Sequence, residues 1–311
     1  MTPELLLPVF LFFWIISAIF VIIERRIYRL LVTTGIFSCI SFVCFLLLAS
    51  PDVAMAQAVI SAFSTIMLIV TFEKYYTAAK RSEDRADTAG IIKKAVLPAC
   101  FCLLLFFMFI YFMPPDSFVT DLRDQYVSMF RYDIGGENAV TAIYLGYRLY
   151  DTLFEALILL VSIMAVVHLS QFDGLGVSKG RLSDILSDKI AVAEIRFICP
   201  LMLLFCIYLI MNGHISPGGG FQGGVVAASV FVCRYLILNI YDIPIDKIIT
   251  VEKLIFAAIL LTGALFILLA AHIIYPVHQA IYLIAMNLLI GLKVACGFLI
   301  VFYRFIAFER R

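Results

Sequence analysis

The sequence predicts an all-α, polytopic membrane protein of about nine helices, with its N-terminus outside and its C-terminus cytoplasmic. Three observations carry that reading. Hydrophobic residues make up 64% of the 311 residues and charged residues 14%, against roughly 45–50% and about 25% in soluble domains. Nine apolar stretches approach the length of about 20 residues that spans a bilayer. The basic residues between those stretches fall almost entirely on alternate loops. So few polar residues cannot clothe a soluble core, so most of the surface must face lipid or partner subunits. The net charge of +1 speaks against a nucleic-acid partner.

The stretches run Leu5–Ile23, Leu31–Ala49, Val53–Phe72, Ala95–Met113, Thr152–Ser170, Phe197–Met211, Gly224–Leu238, Leu254–Tyr275 and Ala280–Phe302. The first carries Glu4 ahead of it and Glu24, Arg25, Arg26 and Arg29 behind it. That is the reverse of a signal peptide, and it predicts a retained helix with its N-terminus outside. Nineteen Lys or Arg then lie in the segments assigned to the cytoplasm, three (Arg123, Arg131, Arg148) lie outside, and Lys293 falls within the ninth stretch. Between helices, Lys74–Lys94 reads as a charged cytoplasmic extension, and Ser178–Arg196 as an interfacial amphipathic helix with Leu182, Ile185, Leu186 and Ile190 on one face. Pro114–Glu137 is acidic and reads as a solvated outer loop, although an acidic vestibule would also concentrate cations.

The eight cysteines all lie in apolar runs and none forms a CxxC pair. They read as small packing residues rather than metal ligands. No cofactor is expected in this chain, and no catalytic chemistry is assigned to it.

The run Asn212-Gly-His-Ile-Ser-Pro-Gly-Gly-Gly-Phe-Gln-Gly-Gly224 is the most distinctive. Gly218, Gly220 and Gly223 satisfy GxGxxG, but a dinucleotide site needs a strand before the glycines in a βαβ unit. Here a lipid-length apolar segment precedes them. Irregular backbone at membrane depth is tolerated where it is buried in protein or lines a wet cavity. Gly219/Gly223 and Gly220/Gly224 also have the GxxxG spacing of close helix contact. A structural helix-to-helix turn and a direct ion contact, for which His214 supplies a group titrating near neutral pH, both remain open.

Ionisable residues inside spans are functional candidates by default. Arg148, Asp151, Thr152 and Glu155 fall at i, i+3, i+4 and i+7, on one helix face. Arg148 and Asp151 are expected to pair at the outer boundary, leaving Glu155 deeper and less compensated. Glu155 is then either a proton or ion contact, or a carboxylate that pairs with a partner chain. Lys293 is too central to snorkel and needs an internal partner; relay and structural staple are both open. His168, His272 and His278 read as interfacial polar residues, and Arg234 and Arg304 as topology anchors.

Gly213-His214, Pro217-Gly218-Gly219-Gly220-Phe221 and Gly223-Gly224 resemble the signature of the B subunit of Mrp-type multisubunit cation/proton antiporters, and of the matching subunit of membrane-bound hydrogenases. That likeness covers about Ala193–Phe305 and includes Ile290–Gly297. Asn138–Ile143 running to Tyr147–Glu155 resembles the C-terminal stretch of the Mrp A subunit written NVVNVILVDFRGFDTLGE, with Gly146 where that family has Asp. Pro51-Asp-Val-Ala54 and Gln57 resemble the preceding three-helix piece, PDLALTQ or DVALTE. Its intramembrane Glu is missing at both Gln57 and Ser61. The resemblance implies three fused pieces, 1–94 of D type, 95–177 of E type and 178–311 of F or B type. It also implies a multi-pass subunit of the cytoplasmic membrane that couples Na⁺ or H⁺ movement. Its implied partners are large antiporter-like subunits, small Mrp- or hydrogenase-type subunits and, in a redox-driven complex, iron–sulfur or hydrogenase-like subunits. The rival is a scaffold subunit that conducts nothing.

Overall fold

A computed structural model describes residues 3–24, 26–76, 104, 107–108, 116–169, 189–238, 245–270 and 276–306. Among them there are helices and connections and no strand. The long elements are α1 (Pro3–Ile23), α2 (Ile27–Leu47), α3 (Pro51–Tyr76) and α4 (Asp116–Asp133). A single turn, α5 (Ala139–Ala142), passes through a π-helical turn, Ile143–Tyr147, into α6 (Leu149–Leu169). Then come α7 (Lys189–Asn212), α8 (Gly220–Leu238), α9 (Ile245–Ala270) and α10 (Pro276–Ile306).

Seven of these helices are long and apolar enough to cross a membrane, and the glycine-led α8 carries a shorter apolar stretch, Gly220–Arg234. They account for eight of the nine expected stretches. The remaining one, Ala95–Met113, lies outside the described residues, as do most of Lys74–Lys94 and the first half of the expected interfacial helix, 178–188. The segment expected as a solvated outer loop is largely the helix α4. Leu122, Tyr126 and Phe130 recur at four-residue spacing there, which gives the acidic sequence one apolar stripe and a helical period.

The chain divides into two compact units, Met1–Thr77 with Phe130–Arg311, and Ala78–Met129. In the first, α10 is the central element. More than half of its membrane-length window is buried, against about a tenth in α1–α3. Val225, Ala228 and Val232 of α8, Ile259 and Phe266 of α9, Leu149 of α6 and Phe63 of α3 join Leu283, Met286, Val294 and Phe302 of α10 in one core. A second cluster seats Ile163 and Val167 of α6 against Ile249 of α9 and Ile300 of α10. The small Gly297 makes room for Ile163, whose Cδ1 would stand 2.5 Å from any Cβ added there.

The N-terminal helices pack as a hairpin and a return. Trp14 of α1 stacks on Phe37 of α2 and donates to the Ser41 hydroxyl at 2.7 Å. Asp52, at the start of α3, is 9% exposed and ties this piece to the rest. Its Oδ1 accepts from the Gly218 amide at 3.0 Å and from Asn138 Nδ2 at 3.1 Å. Replacing Asp52 with Ala strands the buried Gly218 amide and takes one of three acceptors from Asn138 Nδ2. We expect Asp52→Ala to cost about 1.5–3 kcal/mol and to lower the thermal unfolding midpoint of the purified protein, and Asp52→Asn, which keeps an acceptor, to cost less.

A polar knot at the glycine turn and a buried ion pair

The glycine run forms the turn between α7 and α8, and its backbone is held from three sides. Gly218 and Gly219 have φ of 145° and 150°, a region that L side chains rarely occupy. The Gly213 carbonyl accepts from the Thr141 hydroxyl at 2.6 Å and from Asn138 Nδ2 at 3.2 Å. The Ser216 carbonyl accepts from the same amide nitrogen at 3.1 Å. Asn138 meanwhile caps α5, its Oδ1 accepting from the amide of Val140 at 2.9 Å. One asparagine thus starts a helix and clamps the turn. It stays buried because every polar atom it carries is used.

At the head of α8, the Gly220 amide donates to Asn287 Oδ1 of α10 at 3.1 Å, and the Tyr144 hydroxyl donates to the same oxygen at 2.9 Å. This satisfies a helix N-terminal donor that has no partner within its own helix. Burial pushes the Tyr144 phenol up to about 12, so at neutral pH it keeps the proton it donates. The π turn sets this geometry, since the extra residue per turn displaces Tyr144 from regular α-helical register. Tyr282 of α10 donates to the Leu145 carbonyl at 2.8 Å, and Thr152 donates to the Tyr144 carbonyl. Two carbonyls around the π turn therefore find side-chain donors. Gly146, where the resembling family has Asp, packs on Ile134; a Cβ there would meet Ile134 Cδ1 at 2.6 Å.

Of the GxxxG glycines, Gly220 and Gly224 face α10. A Cβ on Gly220 would come within 2.2 Å of the Asn287 carbonyl oxygen, and one on Gly224 within 2.5 Å of the Gly291 carbonyl oxygen. Gly223 instead faces α7, with Ile210 at 2.4 Å from its added Cβ. His214 enters the knot through its backbone: its carbonyl accepts from the amides of Glu137 at 2.8 Å and Asn138 at 3.0 Å. Its ring nitrogen Nδ1 lies 3.0 Å from the Met211 carbonyl. Pro217 is exposed.

The intramembrane charges lie elsewhere. Arg148 and Asp151 form an exposed ion pair at 2.5 Å. Arg148 follows the π turn and α6 begins at Leu149; of the expected four-residue face the three charged members share the exposed side. Thr152 turns inward while Asp151 and Glu155 stay exposed. Glu155 is therefore not an interior carboxylate of this chain: it opens outward, six residues into an apolar helix.

Lys293, 1% exposed near the middle of α10, meets Glu252 of α9, which is fully buried. Its ammonium donates to Glu252 Oε1 and sits 4.9 Å from the centre of the Phe256 ring. The internal partner that Lys293 requires is thus an acid that hydropathy places in a cytoplasmic loop. A signal for it exists, because Ile245, Ile249, Glu252, Phe256 and Ile259 continue one helical stripe whose neighbours are core residues. Asp52, Asn287 and Tyr144 likewise do not stand out in the sequence as site residues, since their roles depend on contacts between distant segments. Among the described residues no cluster of His, Cys, Asp and Glu has the arrangement of a metal site.

A helical membrane protein knotted at a glycine turn, with charged groups paired inside its spans, is a defined class, and comparison narrows it. Residues 190–300 match the family described as a domain related to the MnhB subunit of Na⁺/H⁺ antiporter, and residues 12–76 match the MbhD family, the D subunit of MBH. Antiporter subunit mnhA2 of Staphylococcus saprophyticus subsp. saprophyticus is 28% identical over 152 residues, covering 48% of this chain and 18% of the relative. Its counterpart in Staphylococcus aureus is 25% identical over 157 residues, covering 50% and 19%. The chain thus spans under a fifth of the length of these curated relatives. In fold it resembles a chain of the Mrp complex from Dietzia sp. DQ12-45-1b, with TM-score 0.73 and 16% identity over 96% of this chain and 34% of that one. It also resembles a chain of the membrane-bound sulfane sulfur reductase, an archaeal respiratory complex, with TM-score 0.51 and 24% identity over 67% of this chain and 96% of that one. The protein is a multi-pass helical membrane chain that is similar to the MbhD family over residues 12–76 and to the MnhB-related family over residues 190–300.

The close approach of α8 to α10 makes a direct prediction. Gly220→Ala should cost about 1–3 kcal/mol through overpacking, and Gly220→Val should abolish recovery of folded protein by size-exclusion chromatography. Wild-type recovery of Gly220→Val would refute the contact.

Proposed function

We propose that this chain is a membrane subunit of a multisubunit Na⁺/H⁺ antiporter, or of the ion-translocating module of a hydrogenase-like respiratory complex, in the cell membrane. The observation that carries this reading is the placement of Glu155. An apolar helix presents Tyr150, Phe154, Ile158 and Val161 outward at helical spacing, each about 60% exposed, with a carboxylate beside them. Six residues into α6 corresponds to about 9 Å of helix rise. A charge at that depth facing acyl chains is costly, and intramembrane acids face protein or water and mark ion paths. The outward face of α6 is therefore a subunit interface in which Glu155 meets a neighbouring subunit or a hydrated ion path. The names of the curated relatives, the MnhB-related match and the fold likeness to Mrp and respiratory membrane complexes support the same conclusion.

In this reading the partners are large antiporter-like subunits and the remaining small subunits, and the transported species are Na⁺ and H⁺. The glycine knot holds the α6 face in register with α8–α10, so Glu155 is positioned without itself being part of the knot. Redox chemistry, where a complex has it, belongs to other subunits.

The test uses the intact complex in proteoliposomes. Glu155→Gln and Lys293→Met each approximate the size of the native side chain while removing its charge. Glu155→Gln should leave the complex assembled and sharply reduce cation-coupled proton flux, whereas Lys293→Met, which leaves Glu252 buried without its partner, should lower both assembly and flux. Full flux from both variants in an assembled complex would favour a scaffold that conducts nothing.

A further inference from the structure

Three buried polar atoms in the described part of the molecule have no hydrogen-bond partner: Glu252 Oε2, Asn287 Nδ2 and Arg304 Nε. All three lie on or against α10. Unpaired polar atoms in a buried setting are rare, and the usual partner of such a group is an ordered water. Glu252 carries the chemically telling one. Its Oε1 is engaged by Lys293 while its Oε2 remains bare, although the residue is fully buried.

The surroundings leave the pair isolated. From α6, Leu159, Ile163 and Val167 pack toward α9 and α10 and carry no charge. From α8, Val225, Ala228 and Val232 pack into the same core as α10. Phe256 covers the ammonium, and the Cys296 thiol is the titratable group that couples to the pair from α10 itself. A lysine that served only to staple helices could bond backbone carbonyls or a neutral side chain. A lysine bonded to a carboxylate with one oxygen unused forms instead an acid–base couple with a proton-accepting lone pair to spare.

We propose that Glu252 and Lys293 form a proton-carrying site within this chain, with Glu252 Oε2 as the atom that accepts and releases the proton. This rests on the translocation reading above and adds Glu252 to it. The step is a protonation. A hydrated proton delivered by internal water forms an O–H bond at Oε2, and the carboxylate becomes a neutral acid while Oε1 keeps its bond from the lysine ammonium. The couple passes from zero net charge to +1, and loss of the Oε2 proton to water returns it to zero. Asn287 lies six residues before Lys293, about 9 Å along the helix, and Arg304 eleven residues after it, about 16 Å. Their free polar atoms mark where water reaches the couple from the glycine knot and from the opposite end of α10.

Two measurements on the assembled complex test this. First, the double variant Glu252→Gln/Lys293→Met removes both charges together. The proposal expects it to assemble and to lose proton-coupled flux; an assembled double variant with wild-type flux would make the pair a structural staple and overturn the proposal. Second, infrared difference spectra between acidic and alkaline medium read carboxyl protonation without any transport. A carboxylic-acid band should appear in the wild-type complex and should shift in Glu252→Asp, which retains the ion pair. An identical spectrum in Glu252→Asp, or no such band in the wild type, would overturn the proposal even if the double variant failed to assemble. A complex that moved no cations but showed the shifted band would refute the translocation reading and leave the proton site standing.

Discussion

The structure turns on the approach of two backbones. Gly220 and Gly224 of α8 lie so near the Asn287 and Gly291 carbonyls of α10 that no side-chain carbon fits between them. In lipid the hydrophobic effect between helices is absent, so close van der Waals packing and interhelical hydrogen bonds must hold them. With α8 seated on α10, its first amide reaches Asn287 Oδ1, and that oxygen fixes Tyr144. Tyr144 fixes the π turn, and the turn sets where α6 begins. The same glycine segment offers an amide to Asp52 and carbonyls to Asn138 and Thr141. Three stretches remote in sequence are thereby joined through the backbone of one turn.

That architecture separates two kinds of polar residue. Those at the knot, Asp52, Asn138, Tyr144 and Asn287, bond mainly to backbone or to one another and serve geometry. The intramembrane charges lie away from it, one pair buried between α9 and α10 and one carboxylate turned outward on α6. Buried ion pairs are weak evidence of net stabilisation, because desolvating two charges offsets most of their attraction.

Much of this is legible in the sequence, and the parts that are not share a physical cause. Helix existence follows from length and hydropathy, which are local, and the glycine spacing announces close packing. Lys293 demands a partner on the same grounds, because no surface lies within its reach. The partner is hidden because Glu252 stands just ahead of the apolar run that starts at Leu254, where hydropathy alone assigns it to a loop. Its place on a buried stripe emerges only when helical phase is followed across that boundary. Glu155 lies on the exposed side of α6, with Arg148 and Asp151 beside it. The π turn of Ile143–Tyr147 ends just before that face, and of the four residues Arg148, Asp151, Thr152 and Glu155 only Thr152 turns inward. A one-residue insertion in a helical turn leaves no simple mark in the sequence. The expected acidic loop is α4 because a single apolar stripe suffices for a helix despite its many charges.

In the function proposed above, this chain contributes to ion movement at a face it presents to another subunit. A structure of the assembled complex in a lipid bilayer, at a resolution that shows side chains and ordered water, tests it most directly. The account predicts that the Glu155 carboxyl is covered by polar or basic groups of a neighbouring subunit, or by water held between the two. A carboxyl of Glu155 facing acyl chains, with no subunit against the outer face of α6, would contradict it.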